Sequence, residues 1–337
     1  MTVEANNRKE KKKMSRGTKI LLIVVCVLVA LAVLLVAAAL ILTNIGRQAL
    51  TDETGMELSQ TISYKGKQYQ YNDEITSILL MGVDSYEKED TDSYGGSNQS
   101  DVNVLAVIDP KNEKLTLLAI SRDTMCKIDV LDSNGEFSGT ADAQLALAYS
   151  FGDGGDKSCE LTSTAVSRLF YGLHIPAYAS IYMNGISDLV DIVGGVTVTP
   201  SDSFNGFTAG KQVDLRGGLT EKYIRFREHT VEGNNQRMQR QNQVLMALVY
   251  KALHCAKDDP TSILDIYGGV QDNVTTNVNT AMMVYLARQA VKLNFDGQIH
   301  TVPGHSEMGE QNHAVFVIDE EAFYEQILDI FYCPVEK

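Results

Sequence analysis

One stretch constrains this chain more than any other: Ile20 to Leu42 is a run of 23 residues without a charge, a glycine or a proline. As a helix it reaches roughly 34 Å, enough to cross a hydrocarbon core of about 30 Å with modest tilt. Seventeen of its residues are Leu, Ile or Val. At roughly 0.3 to 0.6 kcal/mol each on an insertion scale, they carry it into a bilayer. The run is longer than the roughly 7 to 15 apolar residues of a cleaved signal peptide, so an uncleaved signal anchor is expected. Arg8, Lys9, Lys11, Lys12, Lys13, Arg16 and Lys19 precede it, whereas Arg47 alone stands close behind. The positive-inside rule therefore expects a single-pass protein of the cell membrane, its N-terminus cytoplasmic and its bulk extracytoplasmic.

Beyond residue 19 the chain holds 22 basic and 41 acidic residues. A nucleic-acid partner is not expected of so acidic a polypeptide, and any local basic cluster gains weight. Four cysteines, Cys126, Cys159, Cys255 and Cys333, follow the apolar run with no metal-like spacing. Two disulfides and four free thiols stand equally open.

The expected organisation is a basic tail over 1–19, the anchor over 20–42, a polar stalk over 43–74 and one folded domain over 75–337. Near-continuous apolar runs predict buried strands at Ser77–Val83, Val102–Ile108 and Lys114–Ile120, the last two joined by the turn-rich DPKNE. Helical spacing follows at Ala141–Phe151 and Leu161–Leu173, then a strand at Ala177–Tyr182, a short helix from Gly185 and a strand after Gly194–Gly195. A long helix at Gln236–Ala256 and another at Glu320–Phe331 end the pattern. Strands alternating with helices predict an α/β fold, a three-layer α-β-α sandwich around a mixed central sheet, preceded by one transmembrane helix.

Charges fall where such sheets bind ligands, past the ends of buried strands. The first strand runs into Asp84, Asp101 leads the second, and Arg122 and Asp123 follow the third. Two carboxylates so placed suit Mg²⁺, which needs few protein ligands when phosphate oxygens and water complete its shell. Each also has an ordinary reading as a turn cap or solvated strand end. The densest cluster is Arg225, Arg227, Arg237 and Arg240, four arginines within sixteen residues, with Gln241 beside them. Arg237, Arg240 and Gln241 share a helical face, near the expected start of a helix whose amides and dipole favour anions. Guanidinium groups grip phosphate through paired charge-assisted hydrogen bonds. A solvated run of salt-bridged arginines is the plainer alternative. No nucleophile elbow, Walker loop, GxGxxG or HExxH is present.

The segments LLMGVD (79–84), QSDVNVLAVIDPKNEKLTLLAISRDT (99–124), LVDIVGGVTV (189–198), YIRFRE (223–228) and NNQRMQRQNQ (234–243), in this order, resemble the LytR-CpsA-Psr family. The resemblance is strong from Ile78 to about Lys251 and looser beyond. It implies a phosphotransferase acting on a polyprenyl-pyrophosphate-linked glycan, with peptidoglycan as acceptor and the lipid tail, a membrane lipid, in an apolar channel. It further implies Asp84 and Asp101 as metal-associated acids for Mg²⁺ or Mn²⁺, and Arg122, Arg225, Arg227, Arg237 and Gln241 on the pyrophosphate, with Arg240 as neighbouring support. Asp84, Asp101 and Arg122 are thereby the expected catalytic group. Where the family usually has Arg-Ser-Asp, this chain has Gln99-Ser100-Asp101, so Gln99 stands where a phosphate-binding charge is usual, and the stretch from Asp84 to Asp101 is lengthened. Asn235 and Gln236 replace a usual Asp-Gly pair. The same residues also admit a membrane-anchored regulator that binds lipid pyrophosphate without turnover, or a pyrophosphatase without wall transfer.

Overall fold

The computed structural model describes residues 34, 36–51, 60–83, 85, 94–96, 98–226, 231–259, 261–309 and 313–335. Most of the expected anchor and all of the basic tail lie outside them. Among the described residues, no helix is long and apolar enough to cross a membrane. Residues 36–51 form a helix, α1, containing the end of the apolar run.

The segment expected as a stalk is partly folded. Thr61–Tyr64 (β1) and Lys67–Tyr71 (β2) pair antiparallel across Lys65-Gly66. Both turn residues have positive φ, 47° and 78°, as a two-residue hairpin turn requires. Alternating polar and aromatic side chains hid this strand pair, since no apolar run marks it.

The three apolar runs form Thr76–Val83 (β3), Ser100–Asp109 (β4) and Lys114–Ile120 (β5). They are antiparallel neighbours at the centre of a six-stranded sheet. Next come a hairpin of Met125–Leu131 (β6) and Phe137–Gln144 (β7), then the helices Leu145–Ser150 (α2) and Asp156–Leu169 (α3). The helix expected from Ala141 thus starts four residues later, because Ala141–Gln144 are held in the β6–β7 ladder. Ala177–Tyr182 (β8) lies parallel to β3. Met183–Ile192 (α4) follows, then the ribbon of Val196–Val198 (β9) and Val213–Leu215 (β10), then Gly217–Arg225 (α5) and the 28-residue Val231–Asp258 (α6).

Ser262–Val270 (α7) leads to Val274–Thr276 (β11), antiparallel to β8, and to Thr280–Ala290 (α8), whose N-cap Asn279 accepts from the Met282 amide. Asn294–Thr301 (β12) adds parallel to β5, giving the order β11-β8-β3-β4-β5-β12. A hairpin of Gly304–Met308 (β13) and Ala314–Ile318 (β14) precedes Glu320–Phe331 (α9), capped by Asp319. Tyr332–Pro334 (β15) then pairs with β2, joining the end of the domain to its beginning. The fold is α/β with a mixed central sheet.

Period-two alternation divides the sheet residues between two cores. Leu79, Met81, Val83, Leu105 and Leu118 pack with Ala148 of α2, Val166 of α3, Phe170 just after it and Phe331 of α9. Ile78, Val104, Ala106 and Leu117 pack on the opposite face with Leu245 and Val249 of α6, Met282 and Tyr285 of α8, and Leu50 of α1. Burial of both faces explains why the central strands read as continuous apolar runs.

Candidate active site

The end of β3, the start of β4 and the end of β5 meet at one edge of the sheet, because Val83 pairs with Ser100 and Asn103 with Ile120. The pairing of Gly82 with Val102 and of Val83 with Ser100 leaves Asp101 opposite no residue. It is the extra residue of a β-bulge, a device that re-aims a side chain at a sheet edge. Beyond β5, the Arg122 and Thr124 carbonyls accept from the Ala146 and Leu145 amides at 3.0 and 2.9 Å. The orphan donors of the first turn of α2 thus clamp the loop that carries Arg122.

These supports bring Asp101, Arg122, Gln99 and Arg237 together. Arg122 Nη1 donates to Asp101 Oδ1, and Arg122 Nη2 donates to Gln99 Oε1 at 2.6 Å. From α6, Arg237 Nη2 donates to Asp101 Oδ2 at 3.0 Å. The Asp101 side chain is 5% exposed and accepts from both guanidinium groups. The paired N–H donors of a guanidinium group match phosphate oxygens. Asp123 backs the cluster from behind: its Oδ1 lies 3.6 Å from Arg122 Nε and accepts from Gln144 Nε2 at 3.0 Å. Burial pushes the Asp123 carboxyl up from the ordinary range, against the pull of Arg122.

Behind this rim lies a cavity of about 230 Å³ between the sheet and α4, α5 and α6. Its floor includes Leu80, Gly82 and Ala179, and its roof Leu189, Ile224, Val244 and Leu248. Gly82 and Ala179 present little or no side chain, which leaves the space open. The lining is almost wholly apolar, and Asp101 and Gln241 are its polar members. Gln241 Nε2 is buried and has no hydrogen-bond partner among the described residues. A buried donor left unpaired costs about 1 to 3 kcal/mol, so this amide is set for an oxygen acceptor that enters the cavity mouth.

Arg240 is fully buried and turned elsewhere. It donates to the Phe226 carbonyl at 2.6 Å and to Asp202 at 3.2 Å, with its guanidinium carbon 4.1 Å over the Phe204 ring. It pins α6 to the segment that follows α5. Arg225 closes α5, with Nε 3.3 Å from Glu221. It lines a separate shallow depression with Asn205, Gly218 and Lys222, not the Asp101 cavity. Asp84 and Arg227 lie outside the described residues. The sequence reading passed over Asp202 and Phe204, which hold Arg240, and Gln144, which holds Asp123; their roles depend on contacts between distant segments.

Among the described residues no three His, Cys, Asp or Glu side chains gather as a metal cluster. Both Asp101 oxygens accept from guanidinium groups, Oδ1 from Arg122 and Oδ2 from Arg237, so a divalent cation at this carboxylate would compete with those donors. The four cysteines Cys126, Cys159, Cys255 and Cys333 are free. Burial pushes the Cys126 and Cys159 thiols up to about 12, which removes them as nucleophiles.

The fold and rim together define an α/β domain that joins an arginine-rich anion grip to an apolar cavity, an arrangement matched to an amphiphile with an anionic head. The LytR_cpsA_psr family model matches residues 44–328, and the chain belongs to that family. It is 30% identical over 280 residues to biofilm regulatory protein A of Streptococcus mutans, covering 79% of this chain and 64% of that protein. Identity is also 30% over 214 residues to the polyisoprenyl-teichoic acid–peptidoglycan teichoic acid transferase TagU of Enterococcus faecalis, 62% of this chain and 63% of the relative. The chain thus spans less than two thirds of the length of either relative. Among solved structures, protein gbs0355 from Streptococcus agalactiae shares the fold with a TM-score of 0.61 at 24% identity, over 78% of this chain and 91% of that one.

Proposed function

We propose that the chain is a phosphotransferase that moves a glycopolymer from a polyprenyl-pyrophosphate carrier to a hydroxyl of cell-wall peptidoglycan and releases polyprenyl phosphate. The observation that carries this reading is the placement of Arg122 and Arg237, joined through Asp101, at the mouth of an apolar cavity. The rim suits the pyrophosphate and the cavity suits the isoprenoid. The name of the Enterococcus faecalis relative supports the same chemistry.

In this reading Arg122 and Arg237 bind the pyrophosphate oxygens and stabilise charge that develops on them, a task of positioning and electrostatics. The wall hydroxyl forms a bond to the sugar-proximal phosphorus. The bond from that phosphorus to the bridging oxygen breaks, and polyprenyl phosphate leaves with that oxygen. The hydroxyl proton passes to a carboxylate, Asp84 or Asp101. Gln241 Nε2 gives a neutral hydrogen bond at the junction of head and tail. Asp101, with Asp84, would hold Mg²⁺ or Mn²⁺, which when bound offsets phosphate charge. Ile20–Leu42 anchors the α-β-α domain to the outer face of the cell membrane, where a carrier lipid is also confined.

The test is transfer from a lipid-linked glycan to peptidoglycan by the purified full-length protein in detergent with Mg²⁺. A wall-linked phosphodiester is expected, and Arg122→Ala or Arg237→Ala should lose about 10²- to 10³-fold in rate. Wild-type rates in both variants would sink the site assignment. Free sugar phosphate as the sole product would replace the transferase with a pyrophosphatase, and absence of turnover would replace it with a binding protein.

A further inference from the structure

The helix α1 is docked on the domain. A Cβ at Gly46 would run into the Ala281 carbonyl at the start of α8, and Leu50 is buried in the core beneath α8. Toward their other ends, Val36, Ala39 and Leu40 of α1 share a depression of about 470 Å³ with Val284 and Arg288 of α8, with Val291 and Lys292 just after it, and with Leu264 of α7. The two helices are therefore antiparallel, and the C-terminal end of α8 lies beside the end of the apolar run that terminates at Leu42.

That register has a consequence for depth. If Ile20–Leu42 spans the bilayer, Val36 to Leu42 are its outermost six steps, about 9 Å of helix at 1.5 Å per residue. Whatever packs beside Val36 and Leu40 sits at the boundary of acyl chains and headgroups. The α7–α8 corner has the matching chemistry. Leu264 is 40% exposed and Val291 39%. Arg288 and Lys292 flank them and suit lipid phosphates; the acidic residues of this corner are Asp265 in the first turn of α7 and Asp259, which accepts from Thr261 at the edge of the depression. Most of α7 is apolar although it lies at the surface, in the sequence SILDIYGGV. The same helix ends at Val270, which lines the apolar cavity behind Asp101.

We propose that the α7–α8 corner is a membrane-docking surface seated in the outer leaflet, with Leu264 and Val291 among the acyl chains and Arg288 and Lys292 on the phosphates. The domain is then held against the bilayer instead of standing off it, and a carrier lipid reaches the cavity along α7. This rests on reading Ile20–Leu42 as a membrane span, and the experiment separates the two.

Full-length protein carrying Cys26→Ala, Cys255→Ser and Cys333→Ser receives a single fluorophore at Leu264→Cys, Val291→Cys or Phe137→Cys. Phe137 is an exposed control in β7, over the opposite face of the sheet. Each is reconstituted in vesicles of phosphatidylglycerol and phosphatidylethanolamine with lipid-borne nitroxide quenchers at graded depth. Labels at 264 and 291 are expected to be quenched at about 5 to 10 Å below the headgroup surface, and the label at 137 to be untouched. If the protein survives a carbonate wash in the vesicles and 264 and 291 are quenched no more than 137, the docking surface is refuted while the anchor stands. Release by carbonate would overturn both.

Discussion

Arg240 is the most informative residue to perturb, because its surroundings allow a magnitude to be worked out. Its side chain is 1% exposed, whereas that of its partner Asp202 is 24% exposed. Truncation to alanine removes a charge-assisted hydrogen bond to the Phe226 carbonyl, worth about 1.5 to 3 kcal/mol. It also removes the stack on Phe204, worth about 0.5 to 2 kcal/mol at a desolvated site. Asp202 can recover water, so its share is about 1 kcal/mol or less. Release of a buried guanidinium whose Nε has no hydrogen-bond partner among the described residues offsets part of this loss. The contributions total about 2 to 6 kcal/mol before that offset and about 2 to 5 kcal/mol after it, a fall of roughly 4 to 20 °C in Tm for a domain of this size. Arg240→Met, which keeps most of the volume over Phe204 but none of the donors, should fall in between. Thermal unfolding of the full-length protein in detergent, followed by circular dichroism, reads all three. A melting temperature for Arg240→Ala within about 2 °C of wild type would refute the view that Arg240 is structural glue between α6 and the segment after α5.

Gln99→Arg replaces an acceptor for Arg122 with a further phosphate donor, and a net gain of about 1 kcal/mol should lower KM for the lipid-linked donor roughly fivefold. Steady-state kinetics at fixed salt would show it, and an unchanged KM would count against a pyrophosphate at this rim. Val244→Phe, which fills part of the cavity, should slow use of a long-chain carrier at least about tenfold while a short-chain analogue is spared. Equal slowing of both would mean that the cavity does not take the tail. Because burial raises the Asp123 carboxyl, the folded state holds its proton to higher pH than the unfolded state does. Wild type should therefore lose stability relative to Asp123→Asn as pH rises from about 4 through the folded titration, with the difference constant above it. Melting curves from pH 4 to 7 test this, and a difference that moves the other way would exclude the assignment.

The central sheet and the charged residues at its edge were legible in the sequence for one physical reason. Strands buried on both faces must be apolar throughout, so a charge at their ends stands out, as Asp101 and Arg122 do beside β4 and β5. The helix carrying Arg237 and Gln241 was legible from spacing, but it begins at Val231, five residues before the expected Gln236, so these side chains do not sit in its first turn. What such patterns omit is which distant segment completes a contact. Arg225, Arg237 and Arg240 look alike in sequence, yet one pairs with Glu221, one with Asp101 and one with Asp202. The β1–β2 hairpin was missed because its strands are polar and aromatic, and only Lys65-Gly66 marks its turn. The docking of α1 was missed because an apolar run long enough for a membrane gives no sign that its last turns also pack on protein.

The bulge at Asp101 has a consequence for how this architecture can diversify. Its register is set by Gly82 against Val102 and Val83 against Ser100, and thus by strand pairing, not by the connection between the strands. Insertions upstream of Gln99 can accumulate without displacing the carboxylate, because the ladder absorbs none of them. Changes in the connection between these strands therefore need not disturb the bonds from Arg122 and Arg237 to Asp101.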